Sequence, residues 1–157
     1  MFHELRRQDR KMGDSDVLEL LRKAEYGILS TVDAEGYPYG VPLSYIYNEK
    51  DQVLYFHCAR EGHKLDNIAF NNKASFCVVG EAQTLADRFS VKFQSAIAVG
   101  EVFESAKEEK QEALVVFLKK YSADFMEKGL KYLAADEPNC RVLKFQIEHL
   151  TGKTRDS

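Results

Sequence analysis

The chain has 157 residues, 45% of them hydrophobic and 30% charged, with a formal net charge of −3. That is the size of one domain able to bury its own core, and bases dispersed among a slight excess of acids exclude a nucleic-acid footprint. No apolar run approaches the roughly 20 residues that span a bilayer, and the start, MFHELRRQDRK, lacks the apolar core of a signal peptide. The cysteines, Cys58, Cys77 and Cys140, are odd in number and widely spaced. They read as reduced thiols, and the cytoplasm is the expected location.

Residues 1–13 read as a flexible or partner-contacting arm on a single domain that spans 1–157. Asp14 or Ser15 then caps a helix with Val17, Leu18, Leu20, Leu21 and Ala24 on its apolar face, and Gly27 closes it. Tyr26–Val32 is rich in strand formers, and Asp33-Ala34-Glu35-Gly36 is turn chemistry. Tyr37–Tyr47 makes a second strand. Pro42 inside it has no N–H for a ladder, which marks an edge or a bulge where backbone faces a ligand instead. Val53–His57 is a short strand, Arg60-Glu61-Gly62 a loop, and His63–Asn71 a short helix.

Ala74–Val79 is another strand, and 80–90 reads as a linker. Lys92–Glu104 is a long strand in which Gly100 marks a bulge or barrel corner. Ser105 and Glu108 form a capping box for a helix bearing Leu114, Phe117, Leu118 and Tyr121. Residues 122–139 read as loop with a helical turn, and Arg141–Glu148 as the last strand. His149 follows it, at the surface. About six strands joined mostly by turns predict a mainly β chain, an antiparallel sheet or barrel with flanking helices.

The densest polar segment is Phe56–Asn67, FHCAREGHKLDN. It runs from a strand end through a glycine loop to a helix start. Lys64 in the first helical turn, flanked by Arg60 and His63, opposes the helix dipole, and a bound anion would remove the conflict. Phosphate fits this pattern, and a solvated surface cluster fits it as well. His57, Cys58 and His63 do not have strong zinc spacing, so no metal is expected. Cys58 and His57 are adjacent on a strand and point to opposite faces, which disfavours a Cys–His nucleophile. The tyrosines at 37, 39, 45, 47 and 55 fit sheet packing, or in part an aromatic pocket.

The segments GILSTV (27–32), DAEGYPYGVPLSY (33–45), YFHCAREGHKLDNI (55–68), ASFCVVG (74–80) and IEHLTGK (147–153) resemble the nitroimidazole-resistance (Nim-type) branch of the pyridoxamine 5'-phosphate oxidase-like proteins. The resemblance runs from about residue 5 to 155, and its most specific part is FHCAREGHKLDNI. It implies a six-stranded antiparallel split barrel with flanking helices, working as a homodimer with FMN at the subunit interface. It also implies that Val41, Pro42, Leu43, Ser44 and Tyr45 run along the flavin ring and offer it backbone groups. Phe56, His57 and Cys58 would approach the ring and ribityl chain. Gly62, His63 and Lys64 would hold the phosphate, helped by Asn67, and Gln94 and Ser95 would reach the flavin from the partner.

The chain has no tryptophan, and so lacks the C-terminal Trp…Arg pair of the true oxidases; vitamin B6 oxidation is disfavoured. The implied activity is reduction of nitro-aromatic or related small acceptors, with NADH or NADPH as donor. His57 is the expected catalytic hydrogen-bond or proton donor, and His63 the alternate. No dinucleotide glycine fingerprint is present, so a nicotinamide would bind over the flavin. The alternative is a non-catalytic flavin- or haem-binding module, with His57 or His63 as axial ligand.

Overall fold

The computed structural model describes residues 2–156. Helix α1 (Asp14–Lys23) buries Val17, Leu20 and Leu21, the stripe its spacing predicts. Its N-cap is Gly13, without a side-chain cap from Asp14 or Ser15, and it ends at Ala24. Gly27 does not close it. Gly27 lies in strand β1 (Tyr26–Val32), where a Cβ would stand 2.4 Å from the Phe76 ring.

The turn that follows is built by Asp33, whose Oδ1 accepts hydrogen bonds from the N–H groups of Glu35 and Tyr37. The single strand expected over 37–47 is two: β2 (Pro38–Ser44) and β3 (Ile46–Asn48), broken at Tyr45. Strand β4 (Val53–Ala59) precedes α2 (His63–Phe70). Strands β5 (Lys73–Leu85) and β6 (Ser90–Glu104) extend almost through the expected linker as a long hairpin. Helix α3 (Lys107–Tyr121) is followed by a full helix α4 (Met126–Asp136) where a loop was expected, and β7 (Cys140–Arg155) completes the chain. His149 therefore lies within the last strand and not after it.

The capping box does not form. Ala106 is the N-cap of α3, and the Ser105 hydroxyl instead donates to the Val142 carbonyl, 2.8 Å away. The N-terminal arm is partly tied down. Met12 is buried, its N–H donates to the Gly152 carbonyl, and Lys11 bridges to Lys153.

Among the described residues seven strands form one antiparallel sheet in the order β2-β1-β5-β6-β7-β4-β3, one strand more than expected. Its two edges, β2 and β3, are consecutive in the chain with only Tyr45 between them. The sheet must therefore curl until its edges meet, which makes a barrel. Pro42 sits in edge strand β2, opposite Ile28. Gly100 sits at a register shift between β6 and β7, where a Cβ would fall 1.9 Å from the Gln146 carbonyl oxygen.

The interior is aromatic. Phe76 packs on Tyr45 and Phe56 with centroids 4.9 and 5.0 Å apart, and Phe56 meets Phe145. Ala96 and Ala98 leave room for them. A second core lies outside the barrel, where Ala113, Leu114 and Phe117 of α3 cover Ile46, Val53, Tyr55 and Val142. Strand β4 is consequently buried on both faces from Val53 to Phe56. Burying each of these large side chains contributes on the order of 1.5–3 kcal/mol. Helix α3 is fixed at its start by Glu109, which accepts from the Tyr55 hydroxyl at 2.9 Å and pairs with Lys144.

Candidate functional site

Three of the segments singled out in the sequence converge on one cavity of about 760 Å³. The end of β2 (Leu43, Ser44) and the end of β4 (His57, Cys58, Ala59) form one side. Helix α3 (Leu114, Phe117, Leu118, Tyr121) and helix α4 (Tyr132, Leu133, Asp136) form the other, and Lys64 of α2 enters as well. Volume and lining suit a ligand with a flat aromatic body and few polar groups.

His57 projects from the outer face of β4, and its ring meets Phe117 edge to face, centroids 4.7 Å apart at 87°. The surrounding side chains strip water from the imidazole and lower its pKa, although part of the ring reaches solvent. The ring is thus neutral at pH 7, able to donate one hydrogen bond and accept another. Burial pushes the Cys58 thiol up, Lys64 opposing, and burial pushes Cys140 up too. Neither is a thiolate nucleophile. Among the described residues, no three His, Cys, Asp or Glu side chains gather as a metal site.

At the start of α2, Gly62 has φ +148°, a backbone region favouring glycine, and open space where a Cβ would be. The first helical bonds run from the Leu65 and Asp66 N–H groups to the Gly62 carbonyl. The N–H groups of His63 and Lys64 therefore have no place in the helix ladder and point out of its end. The loop before them is held from outside. Arg141 donates to the Arg60 carbonyl at 3.1 Å while its guanidinium is paired with Glu104.

The other expected residues divide. Tyr45 and Phe56 are 0% exposed, so their side chains belong to the barrel core. The Tyr45 backbone is also taken, by Tyr121 and Lys120. Val41 is half-buried against the core and Pro42 is exposed, and neither lines the cavity. His63 stacks on Tyr39, centroids 4.1 Å apart, and leaves Lys64 as the cation of the cavity. Asn67 turns inward, 3% exposed, and its amide donates to the Thr31 hydroxyl. It joins α2 to β1. Gln94 lines a different cavity, of about 820 Å³ between α1 and the β5–β6 hairpin, and Ser95 lies beside it on β6.

The walls from α3 and α4 were not read as part of a site. Leu114, Phe117, Leu118 and Tyr121 formed a visible helical stripe, but a stripe does not reveal which strand it covers. Helix α4, in the stretch 122–139 that reads as loop with a helical turn, packs on α3 with Gly129 at the contact, where a Cβ would meet Leu118 at 2.7 Å.

A barrel closed at Tyr45, with a helix-roofed cavity beside the start of α2, defines a small split barrel with flanking helices. The chain belongs to the pyridoxamine 5'-phosphate oxidase family, whose model matches residues 14–153. Among curated proteins no match is found. Among solved structures, one similar chain is a candidate 5-nitroimidazole antibiotic resistance protein of Bacteroides thetaiotaomicron (23% identity, TM-score 0.70, covering 97% of this chain and 95% of that one). Another is a FAD-binding protein of Mesorhizobium loti (24%, 0.69, 94% and 98%). A third is a FAD- and haem-binding protein of Mycobacterium smegmatis (16%, 0.76, 94% and 74%). At these identities the likeness establishes the fold. Among the described residues no helix is long and apolar enough to cross a membrane.

The residues present fit a flavin. The outward N–H groups of His63 and Lys64, with the Lys64 ammonium, match a phosphate. The largely apolar cavity, about 760 Å³ and walled in part by Phe117, Tyr121 and Tyr132, has room for a fused ring system.

Proposed function

We propose that the chain is a flavin-dependent oxidoreductase that binds FMN and reduces nitro-aromatic or related small acceptors, with NADH or NADPH as donor. The observation that carries this reading is the convergence of β2, β4 and the start of α2 on one aromatic-walled cavity. Lys64 and the first N–H groups of α2 would hold the phosphate. Leu43, Ser44, Cys58 and Phe117 would flank the ring. Bound flavin supplies two-electron transfer between donor and acceptor.

The chain's own part is orientation and exclusion of water. His57, neutral and held against Phe117, presents an N–H to a polar atom of the acceptor without placing a full charge in the cavity. Leu114, Leu118 and Leu133 keep the walls dry.

The test is a visible spectrum of the purified chain, followed by anaerobic addition of NADH or NADPH and then a nitroimidazole. Flavin bands that bleach with the donor and return with the nitro compound are expected. A chain that neither carries nor takes up a flavin overturns the reading. The second reading, a non-catalytic flavin- or haem-binding module, is favoured by a single observation: among the described residues, His57 is the one histidine lining the cavity. A Soret band would select haem.

The proposed working unit is a homodimer. Gln94 and Ser95 lie away from the cavity of their own chain, so they would serve a flavin only across an interface. The outer face of β1, β5 and β6 offers one. There Ile28, Cys77 and Ile97 form a cross-strand row, and nearby Val79 is 56% exposed. Sedimentation equilibrium showing a monomer would overturn the dimer.

A further inference from the structure

Tyr45 is the single residue between the two strands that close the barrel. It is 0% exposed, and its hydroxyl donates to the Leu21 carbonyl at 2.6 Å. Because β2 ends before it and β3 begins after it, its own N–H and C=O belong to neither ladder. A buried backbone pair of this kind must find partners elsewhere.

The last turn of α3 supplies them. The Tyr45 N–H donates to the Tyr121 hydroxyl at 3.0 Å. The Tyr45 carbonyl accepts from the Lys120 ammonium at 2.9 Å and lies 2.8 Å from the same hydroxyl. Lys120 also donates to the Ala24 carbonyl at 2.8 Å and stands 4.0 Å over the Tyr45 ring. The Tyr121 hydroxyl proton is shared with the Glu25 carbonyl, 2.6 Å away. One helix end thus grips the barrel seam and the junction between α1 and β1.

This grip reaches the cavity. Leu43 and Ser44, on one wall, immediately precede Tyr45. Tyr121 stacks on Phe117, centroids 6.1 Å apart, and Phe117 holds the His57 ring. The two walls therefore meet at the grip.

We propose that Lys120 and Tyr121 are positioning residues: by pinning the Tyr45 backbone to α3 they set the separation between the β2 wall and the α3 wall of the cavity, and so how tightly a flat aromatic ligand is held there. The identity of that ligand as a flavin rests on the preceding reading; the pinning does not. A charge-assisted donor suits the task, since one ammonium reaches two carbonyls and a ring face at once.

The experiment uses the full chain with Lys120→Met, Lys120→Arg and Tyr121→Phe. Hydrogen exchange of the ligand-free protein reads the seam directly. Peptides covering 43–47 should exchange about tenfold faster in Lys120→Met, with β5–β6 peptides unchanged as the control for intact folding. FMN titration, followed by quenching of flavin fluorescence, should weaken about tenfold in Lys120→Met and return to within about threefold of wild type in Lys120→Arg. Tyr121→Phe should act in the same direction as Lys120→Met. Unchanged exchange at 43–47 in both Lys120→Met and Tyr121→Phe overturns the pinning. Faster exchange with unaltered FMN affinity overturns the positioning role. A Lys120→Met chain that fails to fold leaves Tyr121→Phe to decide by the same readouts. A wild-type chain that takes neither FMN nor FAD overturns the flavin reading and not the pinning, which exchange decides by itself.

Discussion

The two outer faces of the barrel obey the same alternation and end up with different fates. Over β3, β4 and β7, the outward residues Ile46, Val53, Tyr55 and Val142 are covered by α3 and buried. Over β1, β5 and β6, the outward row through Ile28, Cys77 and Ile97 is left open, with Ile97 43% exposed. The covered face stops short at His57, and the gap between helix and strand end is the cavity. A cover that is large enough to pack but too short to seal makes a site. The open row is the face that the proposed homodimer would bury.

The largest effect should come from breaking the cover. Phe117→Ala removes a ring that is 6% exposed and touches both His57 and Tyr121. A loss of about 3–5 kcal/mol in unfolding free energy is expected by urea titration. A loss below about 1 kcal/mol would mean that α3 contributes little to holding that face.

Lys64→Ala tests the chemistry of the covered face without touching its packing. Loss of one charge-assisted contact should weaken FMN by about 2 kcal/mol, roughly 30-fold, and weaken riboflavin, which lacks the phosphate, far less. Equal losses for both ligands would place Lys64 away from the phosphate.

On the open face, Ile97→Lys should change protomer stability by no more than about 0.5 kcal/mol, because the side chain leaves little core behind. It should nonetheless shift the proposed dimer to monomer in sedimentation. A large loss of protomer stability would show that this face is already packed within one chain.

The smallest effect is one of pH. Burial holds the Lys120 ammonium at a pKa of about 8, below its ordinary 10.5. Between these values the unfolded chain binds more protons than the folded one, so stability rises with pH. The Tyr45 and Tyr121 hydroxyls and the Cys58, Cys77 and Cys140 thiols, all raised by burial, oppose it, because the folded chain keeps protons that the unfolded chain loses. These groups, and Glu25 nearby, are shared with Lys120→Met and cancel between the two chains. The melting temperature of the wild type should therefore gain modestly on that of Lys120→Met from pH 8 to 10.

Much of this was legible in the amino-acid sequence because it depends on local chemistry. Alternation and turn residues predicted the strands, Pro42 an edge and Gly100 a bulge; helical spacing predicted the buried faces of α1 and α3. The segment Phe56–Asn67 stood out as the chemical one, and Lys64, His57 and Cys58 from it do line the cavity. Other expectations failed for reasons that are also local to state. Ser105 lost its capping role to the Val142 carbonyl, and Tyr45 and Phe56 were drawn into the core by barrel closure.

What the sequence by itself determined is thus most of the strands, the buried faces of α1 and α3, the family to which they belong and the segment whose residues reach the cavity. Only the tertiary structure decided that 37–47 breaks at Tyr45, that Asn67 faces Thr31 and that α3 and α4 roof His57. The physical reason is sequence separation. Tyr45 and Tyr121 lie 76 positions apart, and neither residue type says which distant partner will satisfy it. That choice is made when the sheet closes and its buried backbone groups must be paired.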